Sequence, residues 1–375
     1  MALVEGTTTD RFHDLRERLE ASLASGEDLG ASLAVIHRGE FVCDLWGGYA
    51  EAARTTPWTR DTIVNVWSTT KTMVFLVMLM LSDRGQLDFD DDVATYWPEF
   101  AKEGKASIKV HQLMNHTAGL SGFSPSITLD DLADWERCVT DLADSAPWWS
   151  DRSQSGYHAL TQGFLLGELV RRITGATIGE YFASEVASVL GASFYIGLPE
   201  SEESRVSVVV APEDLGVVSD DPSSMRYRTL TSPPINPLAP AHRWWRAAEI
   251  PAANGHGNAH SVALVQQIIA NNGHANGHRF VSERTLERVF QPMISSVDLV
   301  LGFEGNFGLG YGLSSARIPI GPRACYWGGF GGSIIFMDQD LELTVAYDMN
   351  KMAIGLVGDV RGATFVLAAA LATLS

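Results

Sequence analysis

The chain has 375 residues, 46% of them hydrophobic and 19% charged, a composition that can build a large core and excludes a disordered or fibrous protein. A formal net charge of −18 argues against nucleic acid and against anionic membrane surfaces, which are both recognised by clustered Lys and Arg. Three widely spaced cysteines, Cys43, Cys138 and Cys325, suggest neither a disulfide framework nor a zinc motif.

In chain order, the first ten residues carry no basic region and no apolar run, so they do not read as a secretory signal. Phe12, Leu15, Leu19 and Leu23 recur at helical spacing and predict a helix over 10–24. The period then changes. Two β-rich runs flank Arg38-Gly39-Glu40 and predict a hairpin, and 58–65 reads as a loop and short strand. Residues 68–84 predict a helix ended by Gly85, apolar on nearly every face and therefore central. Its longest apolar run, Met73 to Leu81, is too short to span a membrane. Helices are predicted over 110–114, 128–143, 159–173, 178–190 and 258–270, with Thr174-Gly-Ala-Thr177 as a C-cap and N-cap pair. The stretch 219–240, with five prolines, reads as one long irregular segment. Strands are predicted over 311–316, 324–330, 333–338 and 343–350, and a closing helix over 360–374.

Strands at both ends and helices between them predict an α/β chain. Residues 1–85 and 291–375 would form an antiparallel sheet domain flanked by helices, and 86–290 an inserted, mostly helical domain. A cytoplasmic enzyme is expected.

Asn65-Val-Trp-Ser68-Thr-Thr-Lys71 contains Ser-x-x-Lys at a helix start. A spacing of three puts both side chains on one face. A serine hydroxyl is a weak nucleophile until a base takes its proton, and a Lys in a dry setting can be that base. At a helix N-terminus the Ser68 N–H is also available as an oxyanion donor. So short a pattern is close to what chance supplies, even with only five lysines. An N-capping Ser and an outward Lys would read the same way. Tyr157, at a turn-to-helix junction, can project into a cleft or pack beneath the turn. Tyr326-Trp327-Gly328-Gly329-Phe330-Gly331-Gly332 offers close backbone approach to a ligand, or a plain glycine-rich bulge.

Together the Ser68-Thr-Thr-Lys71 helix, Leu113-Met-Asn-His-Thr-Ala-Gly-Leu120, Tyr157, Gly308-Leu-Gly-Tyr-Gly312 and Trp327-Gly-Gly resemble the serine β-lactamase and penicillin-binding protein superfamily. More narrowly they resemble the family VIII carboxylesterases related to class C β-lactamases. The resemblance implies a β-lactamase/transpeptidase-like fold, Ser68 as nucleophile, Lys71 and Tyr157 as the proton-handling pair, and the N–H groups of Ser68 and Phe330 as the oxyanion hole. Two departures stand out. Ala159 replaces the amide of the family's Tyr-x-Asn, and Trp327 replaces the Lys of Lys-Thr-Gly. Without that Lys, an anionic substrate loses a charge-assisted hydrogen bond of about 1.5–3 kcal/mol. Trp327, Gly328 and Gly329 are expected to contact substrate, with Trp327 as an apolar wall. Tyr157 is expected to keep a near-normal pKa.

The function expected is hydrolysis of small to medium neutral esters through a Ser68 acyl-enzyme. The alternatives are an acyltransferase on the same machinery, a β-lactamase or D-amino-acid peptidase, and an inactive scaffold. The partner expected is a small-molecule ester, with no nucleic acid, membrane, cofactor or metal. His256-x-x-x-His260 and His274-x-x-x-His278 have metal-ligand spacing but lie in Gly- and Asn-rich turns. Trp148-Trp149 and Trp244-Trp245 either line a pocket or pack in the core. Oligomeric state is not legible.

Overall fold

A computed structural model describes residues 3–212, 219 and 221–374. Three strands come from the N-terminal end, β1 (Val4–Thr8), β2 (Gly30–His37) and β3 (Glu40–Gly48). Short strands follow: β4 (Val64–Asn65), β5 (His256–Gly257), β6 (His274–Ala275), β7 (His278–Arg279), β8 (Ile294–Val297) and β9 (Glu304–Phe307). The C-terminal part supplies β10 (Ala324–Gly328), β11 (Ile334–Asp338) and β12 (Leu343–Met349). The main sheet is antiparallel, in the order β1-β3-β2-β12-β11-β10. The two chain ends meet where β12 pairs β2, from Leu343 opposite His37 to Met349 opposite Ala31.

The helices are α1 (His13–Ser25), α2 (Thr70–Asp83), α3 (Val93–Tyr96), α4 (Val110–Met114), α5 (Trp135–Asp144), α6 (Thr161–Thr174), α7 (Ile178–Phe182), α8 (Ser188–Leu190), α9 (Met225–Leu230), α10 (Arg243–Ala247), α11 (Ala259–Ala270), α12 (Glu283–Glu287) and α13 (Val360–Leu374). Strand β2 is buried on both faces, so it reads as a continuous apolar run. Leu33 and Val35 pack with Leu15 and Leu19 of α1 and Phe365 of α13. Ala34 and Ile36 face the larger core, which holds α2 and α11. Every residue of α2 from Thr70 to Leu81 is buried, as its all-round apolar sequence predicts.

Four departures from the sequence reading have local causes. The predicted helix over 128–143 is broken at Asp134, whose side chain caps α5 by accepting from the Arg137 N–H. The predicted strand over 311–316 makes only isolated bridges at Gly312, to Phe307 and Tyr326. The irregular segment over 219–240 contains α9, capped by Ser224 (Asp220 lies outside the described residues). Strand β1 was missed because Val4-Glu-Gly-Thr-Thr8 is an exposed edge with one buried apolar side chain. Among the described residues no helix is long and apolar enough to cross a membrane.

Candidate active site

Ser68 sits on a tight elbow between β4 and α2. Trp67 takes the left-handed conformation, φ 51°, and Trp67–Thr69 form a 3-10 turn that runs into the helix. A bulky residue there costs roughly 1–3 kcal/mol, so the surroundings must hold it. They do so through buried polar contacts. Ser333 Oγ donates to Val66 O at 2.7 Å and lies 2.9 Å from Thr69 Oγ1. The Gly255 N–H donates to Thr70 Oγ1 at 2.9 Å, and Asn65 bridges the Ala253 carbonyl and the Trp245 indole N–H. Ser68 is therefore a turn residue fixed from two sides, and not a simple N-cap.

Lys71 lies one turn on, 1% exposed. Its Nζ is 3.1 Å from Ser68 Oγ and 2.8 Å from each of the Ala159 and Ala252 carbonyl oxygens. Burial drives its pKa well below the ordinary 10.5, which favours the neutral amine. A neutral amine has two N–H bonds and one lone pair. With both N–H bonds directed at carbonyls, the lone pair is left for the Ser68 hydroxyl. The Tyr157 hydroxyl donates to the same Oγ at 2.5 Å, and Lys71 Nζ stands 4.8 Å from the Tyr157 ring centre. The near-normal pKa expected for Tyr157 does not hold. The phenol is enclosed, and burial pushes its pKa up, opposed by the Ser68 hydrogen bond.

The third sequence element reaches the site by its backbone. A Cβ on Gly329 would lie 2.4 Å from Val66 O, so glycine there lets the β10–β11 turn press against the elbow. The Gly329 and Gly331 N–H groups bond Ser333 O and Gly355 O, which leaves the Phe330 N–H between them without a backbone acceptor among the described residues. Trp327 points the other way. It packs beneath Tyr157 at 5.8 Å between ring centres, against His116, Phe75 and Phe307. Its Nε1 makes no hydrogen bond of normal geometry among the described residues, although its nearness to the phenol slightly lowers the Tyr157 pKa.

The cleft over Ser68 is lined by Trp67, Leu129, Tyr157, Ala159, Leu160, Ile235, Asn236, Trp245, Ala253, Phe330 and Leu356. Trp327, Gly328 and Gly329, expected to contact substrate, do not line it. The aromatic walls are Trp67, Trp245 and Phe330. Trp67 went unremarked in the sequence, although it adjoins Ser68. Of the tryptophan pairs, Trp245 lines the cleft, Trp148 lies under Arg228, and Trp149 packs on His158. Free space in the cleft is about 20 Å³, room for little more than one water. A groove of about 1320 Å³ lies between α13 and the loop before it; it contains none of the Ser68, Lys71 or Tyr157 groups and shares only Leu356 with the cleft.

Two histidines that the sequence reading passed over support Tyr157. His116 Nδ1 accepts the His158 backbone N–H at 3.1 Å, and His158 Nε2 accepts from the Leu120 N–H at 3.0 Å. Burial lowers both pKa values, that of His158 to about 3, so both are neutral. Of the histidines with metal-ligand spacing, His256 bonds the Asn254 carbonyl and His260 pairs with Asp44 at 3.0 Å. Among the described residues no group of three or more His, Cys, Asp or Glu side chains can hold a metal ion.

The β-lactamase family model matches residues 15–366. This chain belongs to the β-lactamase family. It is 33% identical over 357 residues to the esterase/β-lactamase LipL of Mycobacterium tuberculosis, a match covering 91% of this chain and 81% of LipL. The crystal structure of a family VIII carboxylesterase matches with a TM-score of 0.93 at 36% identity, over 99% of this chain and 100% of that one. A penicillin-binding protein homologue from Caulobacter crescentus matches at 0.90 and 34%, over 99% and 100%. The fold is therefore the β-lactamase/transpeptidase-like α/β fold that the sequence motifs implied. In this β-lactamase-family chain, Ala159 turns its carbonyl to Lys71 and leaves only a methyl group at the cleft wall.

Proposed function

We propose that this chain is a serine hydrolase of small neutral carboxylic esters, working through an acyl-enzyme on Ser68. The observation that carries the reading is the buried Lys71 amine, with two N–H bonds engaged by carbonyls and its third direction on Ser68 Oγ. In this mechanism neutral Lys71 takes the hydroxyl proton as Oγ bonds to the ester carbonyl carbon. The N–H groups of Ser68 and Phe330 hold the oxyanion. When the tetrahedral adduct collapses, the C–O bond to the alcohol breaks and the alkoxide takes a proton from the Tyr157 hydroxyl, which Lys71 replenishes. Water then attacks the acyl carbon and gives one proton to the same pair; as the acyl C–Oγ bond breaks, the pair returns that proton to Ser68 Oγ, releasing the acid and the free hydroxyl.

The cleft supports the substrate class. Among the described residues that line it, Asn236 is the one polar side chain besides Ser68 and Tyr157, and none is a cation. A carboxylate-bearing lactam or peptide finds no charged partner there. The small free volume favours short acyl groups. Turnover of p-nitrophenyl acetate through octanoate, beside a chromogenic cephalosporin, tests this. The expected order is acetate or butyrate well above octanoate, with the cephalosporin at least tenfold lower in kcat/KM. A cephalosporin turned over as fast as the best ester would overturn it. Acyl transfer is a second reading, favoured by apolar walls that hold so little water. Added alcohol should then divert the acyl group into a new ester.

A further inference from the structure

Asp298 lies in the turn after β8, 1% exposed, and its carboxylate is used unevenly. Oδ1 accepts three backbone N–H groups: Tyr157 at 3.0 Å, and Val300 and Leu301 at 2.9 Å each. Oδ2 is buried and has no partner among the described residues. The two segments are stapled at further points. Leu299 N–H donates to Ser155 O at 2.9 Å, and the Ser296 hydroxyl lies 3.2 Å from both the Ser155 nitrogen and its Oγ. Any neutral acceptor could serve as such a staple. One oxygen accepts all three bonds while the other is buried and bare, which is more than stapling requires, and an unsatisfied buried group of that kind calls for a function.

We propose that Asp298 is a positioning residue for Tyr157 with two separable actions: Oδ1 fixes the backbone that aims the phenol at Ser68, and the carboxylate charge disfavours the phenolate. The proposal rests on the reading of Tyr157 as the proton partner of Ser68. The groups facing Tyr157 are Ser68 and Lys71 from the α2 elbow, His116 after α4, and Trp327 from β10, with His158 next in the chain. Burial favours the neutral form of Lys71, His116 and His158. Arg226 grips the same turn through the Val300 and Leu301 carbonyls. The charge that bears on Tyr157 is that of Asp298, and it raises the phenol's pKa beyond what burial alone does.

The test places a fluorinated tyrosine at position 157, so that its more acidic phenol titrates within the stable pH range and is read by fluorine NMR. Asp298→Asn keeps an acceptor and removes the charge. It should lower the titration midpoint by about one pH unit. Asp298→Ala removes the acceptor too, and should lower kcat at least tenfold with little change in KM. An unmoved midpoint in Asp298→Asn would overturn the charge action, and wild-type kcat in Asp298→Ala would overturn the positioning. Asp298→Ser, a smaller uncharged acceptor, gives the same comparison should the Asn variant fail to fold. Because the titration needs no turnover, its result stands apart from Tyr157→Phe kinetics, which test the underlying reading of Tyr157.

Discussion

Lys71 Nζ is held by two carbonyls and one hydroxyl, and its chemistry follows from its proton inventory. With its pKa depressed by burial, the amine is deprotonated from well below pH 10.5 upward. The acylation rate should therefore rise with pH through a midpoint well below 10.5 and then level off. Stopped-flow measurement of the p-nitrophenol burst checks this, and a midpoint near 10.5 would mean a solvated ammonium. Lys71→Arg, permanently charged, should lower acylation by about 10²–10⁴-fold. At this scale the sequence was informative where spacing fixes geometry. Ser68 and Lys71 meet because three residues make nearly one helical turn. Trp327 was misplaced because composition does not reveal which strand face a residue takes. The register opposite Ile335 turns it toward Phe75 and away from the cleft.

Helix α6 supports the site through contact with 251–252. Gly163 is the contact point, since a Cβ there would lie 2.4 Å from the Ala252 nitrogen and 2.7 Å from the Pro251 carbonyl carbon. Gly163→Ala must displace the segment whose Ala252 carbonyl holds Lys71. It should destabilise the fold by about 1–3 kcal/mol in urea unfolding and also lower kcat. Gly175→Ala, at the α6 C-cap with φ +79° and open space around it, should destabilise by about 1 kcal/mol and leave kcat unchanged. Equal kinetic effects would break the link between α6 and Lys71. The long helices were legible because their pattern accumulates over many residues: α1 as a helical period, α2 and α13 as long apolar runs. Strands β1, β8 and β9 were not, because four or five residues at a sheet edge carry little pattern.

Across the whole molecule, the sheet closes where β12 meets β2, and Asp348 lies in that seam opposite Ser32. It is fully buried with neither carboxylate oxygen bonded among the described residues, and burial raises its pKa from 3.8 to about 8. Between those values the folded state keeps a proton that the unfolded chain releases, so stability falls as pH rises through that window. Asp348→Asn should remove that loss, gaining Tm relative to wild type from pH 5 to pH 9; parallel Tm profiles would contradict the assignment. That both chain ends build one sheet was legible from strand-like composition at 31–50 and after 308. That Tyr157 stands beside Ser68 was legible only through the family resemblance and not from spacing, because 89 residues separate them. An acyl-enzyme on Ser68 is checked by intact mass after exposure to a fluorophosphonate. One covalent adduct is expected on the wild-type chain, mapped to the peptide holding Ser68 and absent from folded Ser68→Ala. An adduct that persists in Ser68→Ala, or none on the active wild type, would contradict it.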